Sequence, residues 1–177
     1  LISAELITKE EQDYKLTKLG ERLGMYFNQF EFKEFYPVPA VILASIKDDE
    51  ILLAKWNNKP IKNFWVLPGE KQNIGETIEE CTLRLCKKEL GVPGKFKKIF
   101  GIYPSIVRDG DEISYHAYLI VVLVDIIDES KETFFVPTDK HISELKYFKF
   151  DEINFNKIGP SNRNILWDLK SRKKFIF

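Results

Sequence analysis

The hydrophobic pattern of the chain begins in earnest at Val38. From there to Ile46 runs a near-continuous apolar stretch, the mark of a strand buried on both faces. Lys47-Asp48-Asp49 turns it into a partner strand, Ile51 to Trp56. A polar loop, Asn57 to Asn63, leads to Phe64-Trp65-Val66-Leu67, and Pro68-Gly69 breaks that strand. After a loop to Gly75, a helix is expected over about Glu76 to Leu90, capped by Gly91. Phe96 to Val107 and Ile113 to Ile127 read as a long hairpin around Arg108-Asp109-Gly110-Asp111. Leu145 to Phe150 is a further short strand. Ser161 then N-caps a last helix with Ile165, Leu166 and Leu169 facing inward. This order predicts an α/β fold, a mixed sheet sandwiched between helices. No internal repeat or low-complexity stretch interrupts it.

Residues 1–30 read as a separate unit, joined through a linker at 31–37 to a main domain at 38–177. Leu6-Ile7-Thr8 and Tyr14-Lys15-Leu16 suggest two short strands around a polar turn. Thr17 N-caps a helix carrying Leu19, Leu23, Tyr26 and Phe27 on one side. This strand-turn-strand-helix element resembles the wing and last helix of a winged helix-turn-helix domain, whose recognition helix would precede residue 1. The alternative is an N-terminal decoration of the main domain. Because the chain starts at Leu1 and its one methionine is Met25, it is expected to be a piece of a longer protein.

Composition narrows the partners. The 177 residues are 44% hydrophobic, enough for one full core. The 27 basic residues balance 27 acidic ones, so no global field draws the chain to nucleic acid or membrane. No apolar run has the length of a membrane span and no secretory signal opens the chain, so a cytoplasmic location is expected. Cys81 and Cys86 lack nearby His, which predicts buried free thiols in a reducing compartment. His116 lies in an apolar strand and His141 in a polar loop, neither with metal-ligand spacing.

The chemistry concentrates in Trp65-Val66-Leu67-Pro68-Gly69-Glu70-Lys71-Gln72-Asn73-Ile74-Gly75-Glu76 and the helix that follows it to Val92. This segment resembles the Nudix box, G-x5-E-x7-R-E-U-x-E-E-x-G-U with U a bulky aliphatic residue, preceded by a strand ending in Leu-Pro-Gly. Without gaps, the box places its second fixed residue at Glu76, its arginine at Arg84, its first U at Cys86 and its last glutamate at Glu89. Gly91 and Val92 close it. The resemblance covers about residues 38–170 and implies the Nudix α/β/α sandwich.

Three positions depart from the box. Glu70 replaces its opening glycine, Leu85 the glutamate after the arginine, and Lys88 the first glutamate of the closing pair. Helical spacing would bring residues 85, 88 and 89 to one face, directed at the loop. In the family, carboxylates there gather divalent cations, usually magnesium, against a substrate diphosphate. Here Glu89 is the one metal candidate left, and magnesium is expected only if hydrolysis survives. The resemblance implies that Glu76 and Arg84 hold loop to helix. Candidate ligand contacts are Gly69, Glu70, Lys88, Arg108 at the hairpin turn, and Trp56 and Phe64 as stacking residues for a nucleobase. Lys88 could meet a diphosphate directly, but pairing with Glu70 would neutralise the site.

Two readings follow. In the first, a catalytically impaired Nudix domain binds a nucleoside diphosphate-X ligand, as the sensor of a transcriptional regulator that meets DNA only through a domain upstream of Leu1. In the second, a divergent magnesium-dependent Nudix hydrolase cleaves the pyrophosphate bond of such a compound. A homodimer is expected from the apolar length of Tyr118 to Val124.

Overall fold

In the computed structural model, described for residues 5–10, 13–20, 37–58, 61–109, 111–127 and 140–173, the chain divides into two compact units, Leu1–Tyr36 and Pro37–Phe177. In the first, β1 (Ile7–Glu10) and β2 (Asp13–Leu16) pair antiparallel, Ile7 opposite Leu16. The Thr17 hydroxyl donates to the Glu5 carbonyl at 2.6 Å and accepts from the Gly20 amide at 3.0 Å, so the expected N-cap forms. Leu23, Tyr26 and Phe27 lie outside the described residues.

The second unit is built on two sheets. The first is mixed, with β7 (Gly69–Lys71), β3 (Val38–Ala44), β9 (Glu112–Ile126) and β8 (Gly94–Asp109) side by side. Within it β3 runs parallel to β9, and the other pairs are antiparallel. The second sheet is antiparallel, β10 (Ile142–Lys149), β5 (Glu50–Trp56) and β4 (Ile46–Lys47), with β6 (Trp65–Val66) also on β5. Successive residues of β3 explain the apolar run at Val38. Ala40, Ile42 and Ala44 join a core with Ala117, Leu119 and Val121 under Ile165, Leu166 and Leu169 of α2 (Pro160–Lys173). Val41 and Leu43 join a second core with Val122, Val124 and the helix residues Cys81, Leu85, Cys86 and Leu90. Helices thus cover both faces of the first sheet, an α/β sandwich.

Two elements differ from expectation. The chain does not enter a loop at Pro68-Gly69 but crosses from the second sheet to the first. The Pro68 carbonyl accepts from the Leu43 amide at 2.8 Å, and β7 pairs with β3 through Ile42↔Gly69 and Val41↔Glu70. A Cβ on Gly69 would stand 2.5 Å from the Val41 carbonyl oxygen, so the close approach requires glycine. The box helix also starts later than Glu76. Thr77 is its N-cap, in a capping box with Glu80, and α1 spans Ile78–Leu85. It continues as a π turn, Cys86–Leu90, which Gly91 ends in the left-handed conformation at φ 72°.

The hydrophobicity of Tyr118 to Val124 has a use within the domain. β9 is an inner strand between β3 and β8, and Leu119, Val121, Val122 and Val124 are buried in the two cores. Among the described residues, no helix is long and apolar enough to cross a membrane.

Candidate functional site

β7 and the loop after it lie against α1, and four charged side chains meet there. Pairing of Glu70 with Val41 puts it on the same sheet face as the core under α1. Glu76 follows the turn at Gly75, whose φ of 82° favours glycine. Arg84 and Lys88 come from the helix and the π turn, one helical turn apart.

Arg84 is the hub. Its Nε donates to Glu76 Oε1, and its Nη2 donates to Glu76 Oε2 at 2.9 Å, the side-on fork geometry of a strong arginine–carboxylate pair. Nη2 also reaches the Lys71 carbonyl at 3.2 Å and Cys81 Sγ at 3.3 Å, and Nη1 reaches Glu70 Oε2 at 3.2 Å. Glu76 in turn accepts from the Asn73 amide at 2.9 Å and from Asn73 Nδ2 at 3.1 Å. The Arg84 hydrogen bond, assisted by those from Asn73, holds the Glu76 carboxyl at about 2, well below its ordinary value. Glu76 raises the Arg84 pKa in return. The scaffold half of the box, loop clamped to helix, is therefore assembled as its sequence implies.

The other half is not the expected single face. Lys88 does turn to the loop, where its Nζ donates to both carboxylate oxygens of Glu70, at 2.8 and 2.7 Å. Leu85 does not follow it: it is 0% exposed, packed in the core with Val41, Val122 and Leu90. Glu89 is 3% exposed and one of its oxygens is fully buried. Residues 85 and 89, four apart, both turn inward beneath the helix, and residue 88 turns outward. Leu85 turns inward because α1 leans on the sheet through an apolar stripe, Cys81, Leu85, Cys86 and Leu90, which a carboxylate at position 85 would interrupt. Burial raises the Cys86 thiol to about 12, with the Glu89 charge adding to it, and raises Cys81 to about 11. Both are buried free thiols, as expected.

These residues fit the family's magnesium poorly. Of the three box positions, one carries a carboxylate, one is buried leucine, and one holds an ammonium already bonded to Glu70. Among the described residues, no group of three or more His, Cys, Asp or Glu is gathered as a cation would need.

The remaining candidates lie apart from this cluster in their contacts. Trp56 stacks on His141, ring centroids 5.7 Å apart, at the end of β5, and packs with Ala54, Val66 and Ile142. The Phe64 carbonyl accepts from the Trp56 amide at 2.9 Å, closing the polar loop. Arg108 spans its own turn, Nη1 donating to the Asp111 carbonyl at 3.2 Å. His116 lies beside Tyr118, ring centroids 5.6 Å apart. Gly69 is in β7 against β3.

Several contributors escaped the sequence reading. Gln72 Nε2 donates to the Glu76 carbonyl at 2.6 Å and stiffens the loop. The buried Asn162 of α2 accepts from the Leu67 amide at 2.7 Å, fixing the strand end before Pro68. The Lys71 ammonium stands 5.9 Å from the Tyr115 ring centroid. The Thr77-x-x-Glu80 capping box had a sequence signal in its spacing.

The loop that turns at Gly75 is clamped onto a helix beside a mixed sheet, and comparison with known proteins places this arrangement in a family. A model of the NUDIX domain matches residues 35–169, and the chain belongs to that family. It is 38% identical over 109 residues to an ADP-ribose pyrophosphatase of Methanocaldococcus jannaschii. That alignment covers 56% of this chain and 63% of the relative, so the chain spans less than two thirds of that protein. Among solved structures, a NUDIX hydrolase from Nitrosomonas europaea superposes with a TM-score of 0.65 at 18% identity, over 78% of this chain and 91% of that one. A UDP-X diphosphatase superposes with a TM-score of 0.59 at 17% identity, over 89% and 74%. The structural likenesses speak to the fold alone.

Proposed function

We propose that this chain is a divergent Nudix hydrolase acting on a nucleoside diphosphate linked to a second moiety, X, and that its turnover is slow. The observation that carries the reading is the intact Glu76–Arg84 clamp in a chain 38% identical to an ADP-ribose pyrophosphatase. ADP-ribose is therefore the first substrate to try. Slowness follows from the box sequence, where Leu85 and Lys88 stand in place of two carboxylates.

A second reading, binding of the same class of compound without turnover, draws on one specific observation. Lys88 and Glu70 neutralise each other at the position where the family carries metal-binding carboxylates. The sensor of a transcriptional regulator is a narrower form of this reading. It rests only on the β1–β2 hairpin and the capped turn after it, and the relatives favour the hydrolase over it.

The two readings separate on release of AMP from ADP-ribose. The hydrolase reading expects release above buffer, lost in Glu89→Gln. Binding of ADP-ribose with no release, in wild type and variant alike, selects the second.

A further inference from the structure

We propose that Glu70 is a built-in competitor for the ligand's diphosphate: its carboxylate occupies Lys88, and the diphosphate binds by displacing it, without a divalent cation. The inference deepens the nucleoside diphosphate-X reading given above and rests on it.

The geometry is that of an anion site already filled from within. Both Glu70 oxygens lie on Lys88 Nζ, at 2.8 and 2.7 Å, so the ammonium donates to both oxygens of one carboxylate. The pair is open to water, with the two side chains 44% and 40% exposed. Exposed pairs of this kind hold weakly, so displacing Glu70 is cheap. A diphosphate presents more charge and more acceptor oxygens than one carboxylate and competes well for an ammonium. Glu70 also has somewhere to go. Its Oε2 lies 3.2 Å from Arg84 Nη1, and Arg84 stays anchored by the Glu76 clamp. When Glu70 retreats to Arg84, its charge remains compensated and Lys88 gives up its bonds to Glu70.

The same geometry explains why an ammonium is tolerated here. Lys88 supplies fixed positive charge next to the loop, where the family relies on a bound cation for it. Leu85, buried in the core, offers such a cation nothing. The cost is affinity, because the diphosphate must first compete with Glu70.

The test is calorimetric titration of the full chain with inorganic pyrophosphate in EDTA, and again in excess magnesium. Pyrophosphate cannot report on nucleotide hydrolysis, so this result is independent of the ADP-ribose turnover assay. Glu70→Gln should bind pyrophosphate about fivefold tighter than wild type, from release of one exposed ion pair. Lys88→Ala should lose on the order of tenfold from wild type and about fiftyfold from Glu70→Gln, because Glu70 competes only while Lys88 is present, and Lys88→Arg should restore most of it. Far-ultraviolet circular dichroism confirms that each variant is folded. Equal or weaker binding by Glu70→Gln overturns the proposal. So does binding that requires magnesium, indifference to Lys88→Ala, or no binding by Glu70→Gln up to about 10 mM.

Discussion

Replacing Glu76 by glutamine tests the clamp by its electrostatics rather than its shape. The amide is isosteric, but it places an NH2 group against donors. Glu76 accepts from Arg84 Nε and Nη2 and from both nitrogens of Asn73, so at least one of those bonds must fail. The carboxyl is held at about 2 in the folded protein, against an ordinary 4.5. That gap sets a ceiling of about 3 kcal/mol on its contribution at neutral pH. The pair lies near the surface, and screening by water and salt trims the expected loss to about 1–2 kcal/mol. A depressed carboxyl stabilises the fold fully above its unfolded value and loses that effect as pH falls toward its folded one. The wild-type advantage should therefore be complete at pH 7 and shrink to less than half by about pH 3. Urea denaturation of both proteins at the two pH values reads this directly. A difference that is the same at both, or absent at pH 7, would refute the assignment of the clamp.

Two further outcomes follow from burial. Leu85→Glu should cost more than about 3 kcal/mol, because it puts an unpaired carboxylate into the core under α1, and Leu85→Met should cost less than about 1.5 kcal/mol. If Leu85→Glu keeps the wild-type denaturation midpoint, residue 85 faces the loop after all. Cys81 and Cys86, raised to about 11 and about 12 by burial, should resist a thiol-specific chromogenic reagent at pH 8 and both react on unfolding. Rapid labelling of either in the folded protein would contradict their place in the core.

Much of the frame was legible because it rests on patterns that local physics enforces. The apolar run at Val38 has the composition of a doubly covered strand, and β3 divides its side chains between two cores. The spacing from Glu76 to Arg84 and Gly91 fixed the register of loop and helix, and those side chains meet where that register puts them. β7 was not legible: three residues, two of them charged, carry no strand signal, and only pairing with β3 makes them one. The orientation of Leu85 was also hidden. Spacing says that residues 85, 88 and 89 are neighbours, but which of them turns inward depends on how the helix leans on the sheet and on the π turn that follows. The pairing of Lys88 with Glu70 was foreseeable as one of two outcomes, since opposite charges on adjoining elements can meet or be solvated. Trp56 and Phe64 flank the polar loop and Arg108 sits at the hairpin turn, and their contacts lie at the end of β5 and within that turn.

The claim that this is a slow hydrolase of nucleoside diphosphate-X compounds is tested most directly by the rate of AMP release from ADP-ribose in excess magnesium. Chromatography of the products, for wild type and Glu89→Gln side by side, gives that rate. The account predicts AMP release above the buffer control, at less than about 1 per second, and its loss in Glu89→Gln. No release by the wild type would contradict the hydrolase, and release at ordinary enzyme rates that survives Glu89→Gln would contradict the role given to the altered box.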